Sequence, residues 1–207
     1  MINQAASLLT ILAMNNRDRV GLVTFTNDIE KYLRPERKRS SHIRILTELI
    51  QSPLTKMGVG TDFSKVISFL RGVLKRKTTV FILSDFTPNP FKLANADQLK
   101  SELGVLARRH DLIVCPVEDP TNLDLPESGL WRLRSPEIGE SFVIDLGVKE
   151  LREKLVQLET NSRLELYDSL AKCGCELLKL STRGSVSQSL RDFFDRRGHT
   201  PRRTSRK

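Results

Sequence analysis

Asp85 closes a run, Val80-Phe81-Ile82-Leu83-Ser84, that contains no charged residue. Such a composition suits a strand covered on both faces in a parallel sheet. Open α/β sheets bind ligands in the crevice beyond the carboxyl ends of their strands. An aspartate delivered there is a candidate cation ligand or phosphoryl acceptor. A second segment, Gly58-Val59-Gly60-Thr61-Asp62, is a flexible loop that opens directly into an amphipathic helical pattern. A hydroxyl and a carboxylate on neighbouring loops are hard oxygen donors suited to magnesium, which makes Thr61 and Asp85 the candidate metal residues. Both also have ordinary roles, because aspartate after a strand and threonine before a helix are common turn and cap residues.

Other chemistries find less support. The chain has no Gly-x-Ser-x-Gly elbow, and His42, His110 and His199 stand in polar sequence settings that read as exposed. A general base needs a positioned partner, which none of these suggests. Gly58-Val59-Gly60-Thr61 lacks the lysine of a phosphate-binding loop. Phosphoryl transfer onto Asp85, as in a receiver-type protein, is the rival chemistry. It wants further acids around magnesium, and the strands offer no adjacent acidic pair by this reading. Cys173-Gly174-Cys175 has no second cysteine or histidine pair at ligand spacing, so these read as small buried residues.

Three cysteines do not make a disulfide framework and fit a reducing compartment, so a cytoplasmic location is expected. No apolar run is long enough to span a membrane, and the first turns lack the basic region of a signal peptide. The net charge of +9 is uneven: residues 196–207 hold six cations and no acid, which leaves +3 for residues 1–195. Residues 196–207 therefore read as a basic disordered tail. It has no aromatic residue for base stacking, so specific nucleic-acid binding is not expected.

The elements that must position Thr61 and Asp85 alternate between helix and strand, as in an α/β sheet with helices on both faces. Apolar spacing predicts a helix over 2–15 and strands over 19–25 and 29–34, joined so tightly that they must pair antiparallel. A helix capped by Ser40 or Ser41 and closed by Pro53 follows. Phe63, Val66, Ile67, Leu70 and Leu74 define the helix after the glycine loop. The strand ending at Asp85 precedes a helix over about 95–109, then a strand 112–117 with Pro116 at its end or at an irregularity. Leu130–Leu133 and Ser141–Ile144 flank a turn and read as an inserted β-hairpin. A long helix over 148–172 turns Leu151, Leu155, Leu158, Leu166 and Leu170 inward. A last strand over 176–180 and a last helix over 186–194 complete the chain.

Several motifs occur in one family's order and spacing. They are Arg19-Val20-Gly21-Leu22-Val23-Thr24-Phe25, Gly60-Thr61-Asp62-Phe63, Ile82-Leu83-Ser84-Asp85-Phe86 and Ala107-Arg108-Arg109-His110-Asp111. Arg134-Ser135-Pro136-Glu137-Ile138-Gly139-Glu140 and Cys173-Gly174-Cys175-Glu176-Leu177-Leu178 continue the match. Over about residues 4–195 the chain resembles the bacterial "domain of unknown function 58" family, a relative of von Willebrand factor A domains. The resemblance implies a Rossmann-like, mostly parallel sheet with a metal-ion-dependent adhesion site at its carboxyl edge. Thr61 and Asp85 match two of that site's ligands. The remaining ligands of the family come from an Asp-x-Ser-x-Ser motif after the first strand, and this sequence does not contain it.

Residues 2–15 correspond to the helix that follows the motif, so the resemblance implies that the chain begins inside the fold. The first central strand, between those at 19–25 and 79–84, would then be missing, with residues 1–195 forming a truncated domain. Two protein oxygens leave most of a magnesium shell to water, so this fragment is expected to bind no magnesium of its own. The implied role is a non-catalytic protein-binding module, an accessory partner of a MoxR-type AAA+ ATPase. Strands 19–25 and 79–84 are expected to stand apart rather than pair.

Overall fold

A computed structural model describes residues 1–51, 61–120, 124–134 and 141–199. The chain begins with helix α1 (Ile2–Asn15), then strands β1 (Val20–Phe25) and β2 (Ile29–Glu36). Helices α2 (Arg39–Gln51) and α3 (Phe63–Val73), strand β3 (Thr79–Ser84) and helix α4 (Ala96–Arg109) follow. Strand β4 (Asp111–Glu118), the hairpin strands β5 (Leu130–Arg134) and β6 (Ser141–Asp145), and helix α5 (Lys149–Lys172) come next. Two very short strands, β7 (Glu176–Leu177) and β8 (Leu180–Ser181), precede helix α6 (Val186–His199).

β3, β4, β7 and β8 form a parallel sheet with β4 between β3 and the β7/β8 pair. Apolar side chains alternate to both faces of β4, as the strand's period of two requires. On one face Val114, Leu112 and Ile82 pack with Val66, Ile67 and Leu70 of α3 and with Leu99, Leu103 and Leu106 of α4; Leu166 and Leu170 of α5 close this layer. On the other face Ile113 and Cys115 meet Ala5 of α1 and Leu190 and Phe193 of α6. Each such fully buried aliphatic side chain contributes about 1.5–3 kcal/mol. The α/β architecture with helices on both faces is thus the observed one.

β1 and β2 form a separate antiparallel ribbon with their own small cluster, Leu33, Ile45 and Leu49, under α2. Gly21 is required there: a Cβ would lie 2.8 Å from the Leu33 carbonyl oxygen and 2.9 Å from Pro35 Cγ. β1 pairs only with β2 and β3 only with β4 among the described residues, so no ladder joins β1 to β3. β5 and β6 form the inserted hairpin.

Several expectations are corrected. Ser40 and Ser41 lie inside α2 rather than capping it, and the Ser41 hydroxyl donates to Glu36. Pro116 neither ends nor breaks β4, which runs on to Glu118. The expected strand over 176–180 is two short pieces, with Leu178 and Lys179 between them. Leu158 of α5 is 58% exposed, because only the carboxyl half of that helix reaches the core. Arg196 and Arg197, assigned to a disordered tail, belong to α6, and Arg197 bridges Asp111 at 2.7 Å and Glu176 at 3.2 Å. Pro53, the loop Gly58–Gly60, the turn at 135–140 and residues 200–207 lie outside the described residues.

His42 and His110 are also buried rather than exposed. Neither ring nitrogen of His42 has a partner among the described residues, an arrangement that costs stability. His110 caps α4 at the start of β4, where burial first and the Arg109 charge second hold its pKa below the ordinary value. The unfolded chain therefore binds the extra proton more readily. Stability is full above about pH 6.5 and falls as the pH drops from there toward the depressed native value. Urea melts at pH 8 and pH 5 should show a smaller acid loss in His110→Leu than in the parent. An unchanged difference between the two pH values would exclude His110 as its source.

Candidate functional site

Three elements converge at the carboxyl edge. The amino end of α3 is capped by Asp62, whose carboxylate accepts from Lys65 N at 3.2 Å, and Asp62 N donates to the Thr26 carbonyl at 3.0 Å. The loop holding Thr61 is thereby tied to the end of β1. The Phe63 ring, just inside α3, lies edge-on to Phe25 of β1 at 5.9 Å and stacks on Phe86 at 4.9 Å with 10° between planes. Phe86 directly follows Asp85, so this stack brings the Thr61 and Asp85 loops to one edge. The sequence-predicted pair is brought to the same cleft.

Asp85 leaves β3 on a turn with unusual backbone geometry. Phe86 has φ 55°, a left-handed conformation that is uncommon for a bulky side chain. The turn is held by Phe86 N donating to Ser84 Oγ at 3.1 Å and Thr87 N donating to Asp85 Oδ1 at 3.3 Å. The Thr87–Pro88 peptide that follows is cis. Asn89, buried, then fixes the loop to α5 by donating to the Ser162 carbonyl at 2.9 Å. Asp85 itself is exposed, while the backbone on either side of it is anchored.

The oxygens around this edge test whether magnesium fits. Asp85 Oδ1 already accepts from Thr87 N, and Thr26 Oγ1 is committed to Glu30 at 3.1 Å. Among the described residues, no three His, Cys, Asp or Glu side chains converge as a metal-holding group. Magnesium requires near-ideal octahedral coordination and dehydrates reluctantly. Thr61 and Asp85 alone would leave most of that shell to water.

One acidic pair escaped the sequence reading. Glu118 ends β4 and Asp119 follows it, so a strand does supply adjacent carboxylates. The signal was present, since the apolar run 112–117 followed by acids repeats the pattern that singled out Asp85. Both carboxylates are engaged: Glu118 accepts from the Tyr167 hydroxyl and pairs with Arg163 at 3.5 Å, and Asp119 accepts from Thr182 Oγ1 at 3.0 Å. Lys179 lies over the Tyr167 ring at 4.1 Å. Burial, then the bond to Glu118, pushes the Tyr167 phenol up, so it stays protonated at neutral pH. Burial pushes the Cys115 and Cys175 thiols up to about 12, so both stay protonated at neutral pH.

Comparison with known proteins places the chain. The model of the family described as "Protein of unknown function DUF58" matches residues 1–165. The chain belongs to the DUF58 family. An uncharacterised protein of Mycobacterium avium is 28% identical over 140 residues, covering 67% of this chain and 77% of that protein. An uncharacterised protein of Mycobacterium tuberculosis is 27% identical over 181 residues, 86% of this chain and 54% of its own length. A Mycobacterium bovis protein matches with the same figures. This DUF58 chain thus spans about half the length of those last two relatives. No solved structure matches it.

For the metal, the expected outcome in this DUF58 chain is negligible magnesium binding at millimolar concentration. Titration calorimetry checks it. A saturable site in the micromolar range, lost in Asp85→Ala, would show that the missing oxygens come from elsewhere in the chain.

Proposed function

We propose that this DUF58 chain is a non-catalytic protein-interaction module that meets its partner at the carboxyl edge carrying Thr61 and Asp85. The observation that carries this reading is the exposed Asp85 carboxylate on an anchored turn at the mouth of a cleft lined also by Thr61. A fixed, solvent-facing carboxylate offers a ready acceptor for a partner's cationic or amide donor, with little ordering cost on association. The resemblance to metal-ion-dependent adhesion domains supports the same edge as the contact face. The family resemblance also supports a MoxR-type AAA+ ATPase as partner, with this chain as its accessory in the cytoplasm. No helix among the described residues is long and apolar enough to cross a membrane.

The test mixes the purified chain with a MoxR-type ATPase from the same organism and follows co-elution and affinity. Binding is expected, weakened about tenfold or more by Asp85→Ala, the factor for roughly 1.4 kcal/mol. No association, or association indifferent to Asp85, would sink the reading. Phosphoryl transfer onto Asp85 is the second reading, favoured by Glu118 and Asp119 lining the same cleft. Incubation with acetyl phosphate and magnesium decides between them. The binding-module reading predicts an unmodified mass, whereas a phosphoaspartate at Asp85 would replace it with an enzyme.

A further inference from the structure

Helix α2 mixes apolar and cationic side chains on the face that its packing leaves free. Its inner face is fixed by Ile45 and Leu49, which pack with Leu33 of β2 and Ala6 of α1. At 3.6 residues per turn, Arg39, Ile43, Thr47 and Ile50 then share the outward face, with Arg44 at its side. Ile43 is 51% exposed and Ile50 81%. Arg39, Arg44 and Thr47 are exposed as well. Glu48, the one acid in α2, is drawn aside into a pair with Lys31 of β2.

The chain entering α2 adds to the same charge. Arg34, Arg37, Lys38, Arg39 and Arg44 set five cations against the single acid Glu36, a net +4 over residues 34–44. The Glu36 carboxylate is already engaged by the Ser41 hydroxyl. That bond first, then the charges of Lys38, Arg34 and Arg44, hold its pKa below the ordinary value. The fold therefore gathers these cations around one spent carboxylate. The Lys38 carbonyl accepts from Ser41 N at 3.0 Å and His42 N at 3.2 Å, which ties the entering chain to the first turn.

The combination of side chains decides the class of partner. Nucleic-acid phosphates would use the cations alone, and residues 34–51 contain no Phe, Trp or Tyr on which a base could stack. At an anionic bilayer both kinds contribute, because cations meet the headgroup phosphates while exposed aliphatic side chains enter the acyl boundary. We propose that the outward face of α2 is a peripheral docking surface for an anionic lipid bilayer, with Lys38, Arg39 and Arg44 on the headgroups and Ile43 and Ile50 inserted between them. The helix lies on the surface and does not cross it: its 13 residues reach about 20 Å, short of the roughly 30 Å hydrocarbon core. None of these five side chains lines the cleft between β1 and β3. The contact is also separate from the Asp85 edge.

The test is co-flotation of the 207-residue chain with vesicles, a readout in which aggregates sink. The vesicles are phosphatidylcholine alone or phosphatidylcholine mixed with phosphatidylglycerol. Binding is expected to the mixed vesicles, with little to phosphatidylcholine alone, and it should weaken as salt rises. The triple variant Lys38→Glu, Arg39→Glu, Arg44→Glu is expected to weaken it at least about a hundredfold, each cation at such a surface being worth about fivefold. The double variant Ile43→Ser, Ile50→Ser is expected to weaken it about tenfold while keeping the salt dependence. All five positions are exposed, and circular dichroism melts check that the variants stay folded. Asp85→Ala should leave vesicle binding unchanged, which separates this face from the edge proposed above. The proposal is overturned if the mixed vesicles do not carry the chain upward. It is overturned too if the triple variant floats like the parent, which would place the contact on other cations such as Arg202 and Arg203. Undiminished binding by the serine variant, or tighter binding to duplex DNA than to the mixed vesicles, would show a general polyanion contact and overturn it equally.

Discussion

Phe63→Ala is expected to cost about 3–5 kcal/mol of folding stability, the range for removing a buried aromatic side chain. That is a large part of the roughly 5–15 kcal/mol that a domain has in total. Phe63 is 7% exposed, and its ring touches Phe25 on one side of the cleft and Phe86 on the other. Its loss therefore opens a cavity and removes one of the side-chain links between the β1–β2 ribbon and the β3 sheet. It also takes away the ring that supports Phe86 in its left-handed conformation, so the Asp85 turn should loosen. Phe63→Leu keeps most of the apolar volume without the flat face and should lose less. Urea unfolding followed by circular dichroism measures both. A loss below about 1 kcal/mol in the alanine variant would show that the two parts are held together by something else.

A second large effect is expected in the backbone of β3. Amides of Thr79, Phe81 and Leu83 should exchange at least about a hundredfold faster than those of Val80, Ile82 and Ser84, although the two sets alternate along one strand. Buried backbone groups without partners are costly, and two open edges invite pairing with another chain. The preparation is therefore expected to self-associate as its concentration rises. Closing the gap would be a poor remedy, because it would drive α1 and α3 into packing their side chains do not fit. A strictly monomeric preparation that melts cooperatively, with β3 protected uniformly, would overturn this expectation.

Legibility followed the range of the interactions involved. α3 and α4 were readable because their apolar positions recur at helical spacing and are the ones buried: Phe63, Val66, Ile67 and Leu70, then Leu99, Leu103 and Leu106. The β1–β2 pairing followed from a connection too short for any other geometry. Pro116 misled because its permitted place depends on the neighbouring strands. Val114 and Glu118 accept bonds from Leu178 and Thr182, so position 116 also faces that side, and there β7 has ended and β8 has not begun. A missing N–H costs little at such a break. Arg197 misled for the same reason: a basic run reads as solvated until Asp111 and Glu176 are placed beside it. His42 and His110 are buried by tertiary packing that no local pattern announces. For the site, Thr61 and Asp85 could be proposed from loop chemistry, but the Phe63–Phe86 stack that joins their loops could not.

Helix α1 packs against both parts of this molecule. Its Ala5 is packed in the core of the β3–β4 sheet, its Ala6 lies against the cluster under the ribbon, and Asn3 Nδ2 donates to the Leu49 carbonyl at 2.8 Å. Met1, one residue ahead, packs against the sheet core and lines the cleft. Phe193 of α6 packs in the same core as Ala5, so the first and last helices of the described chain are held by one cluster.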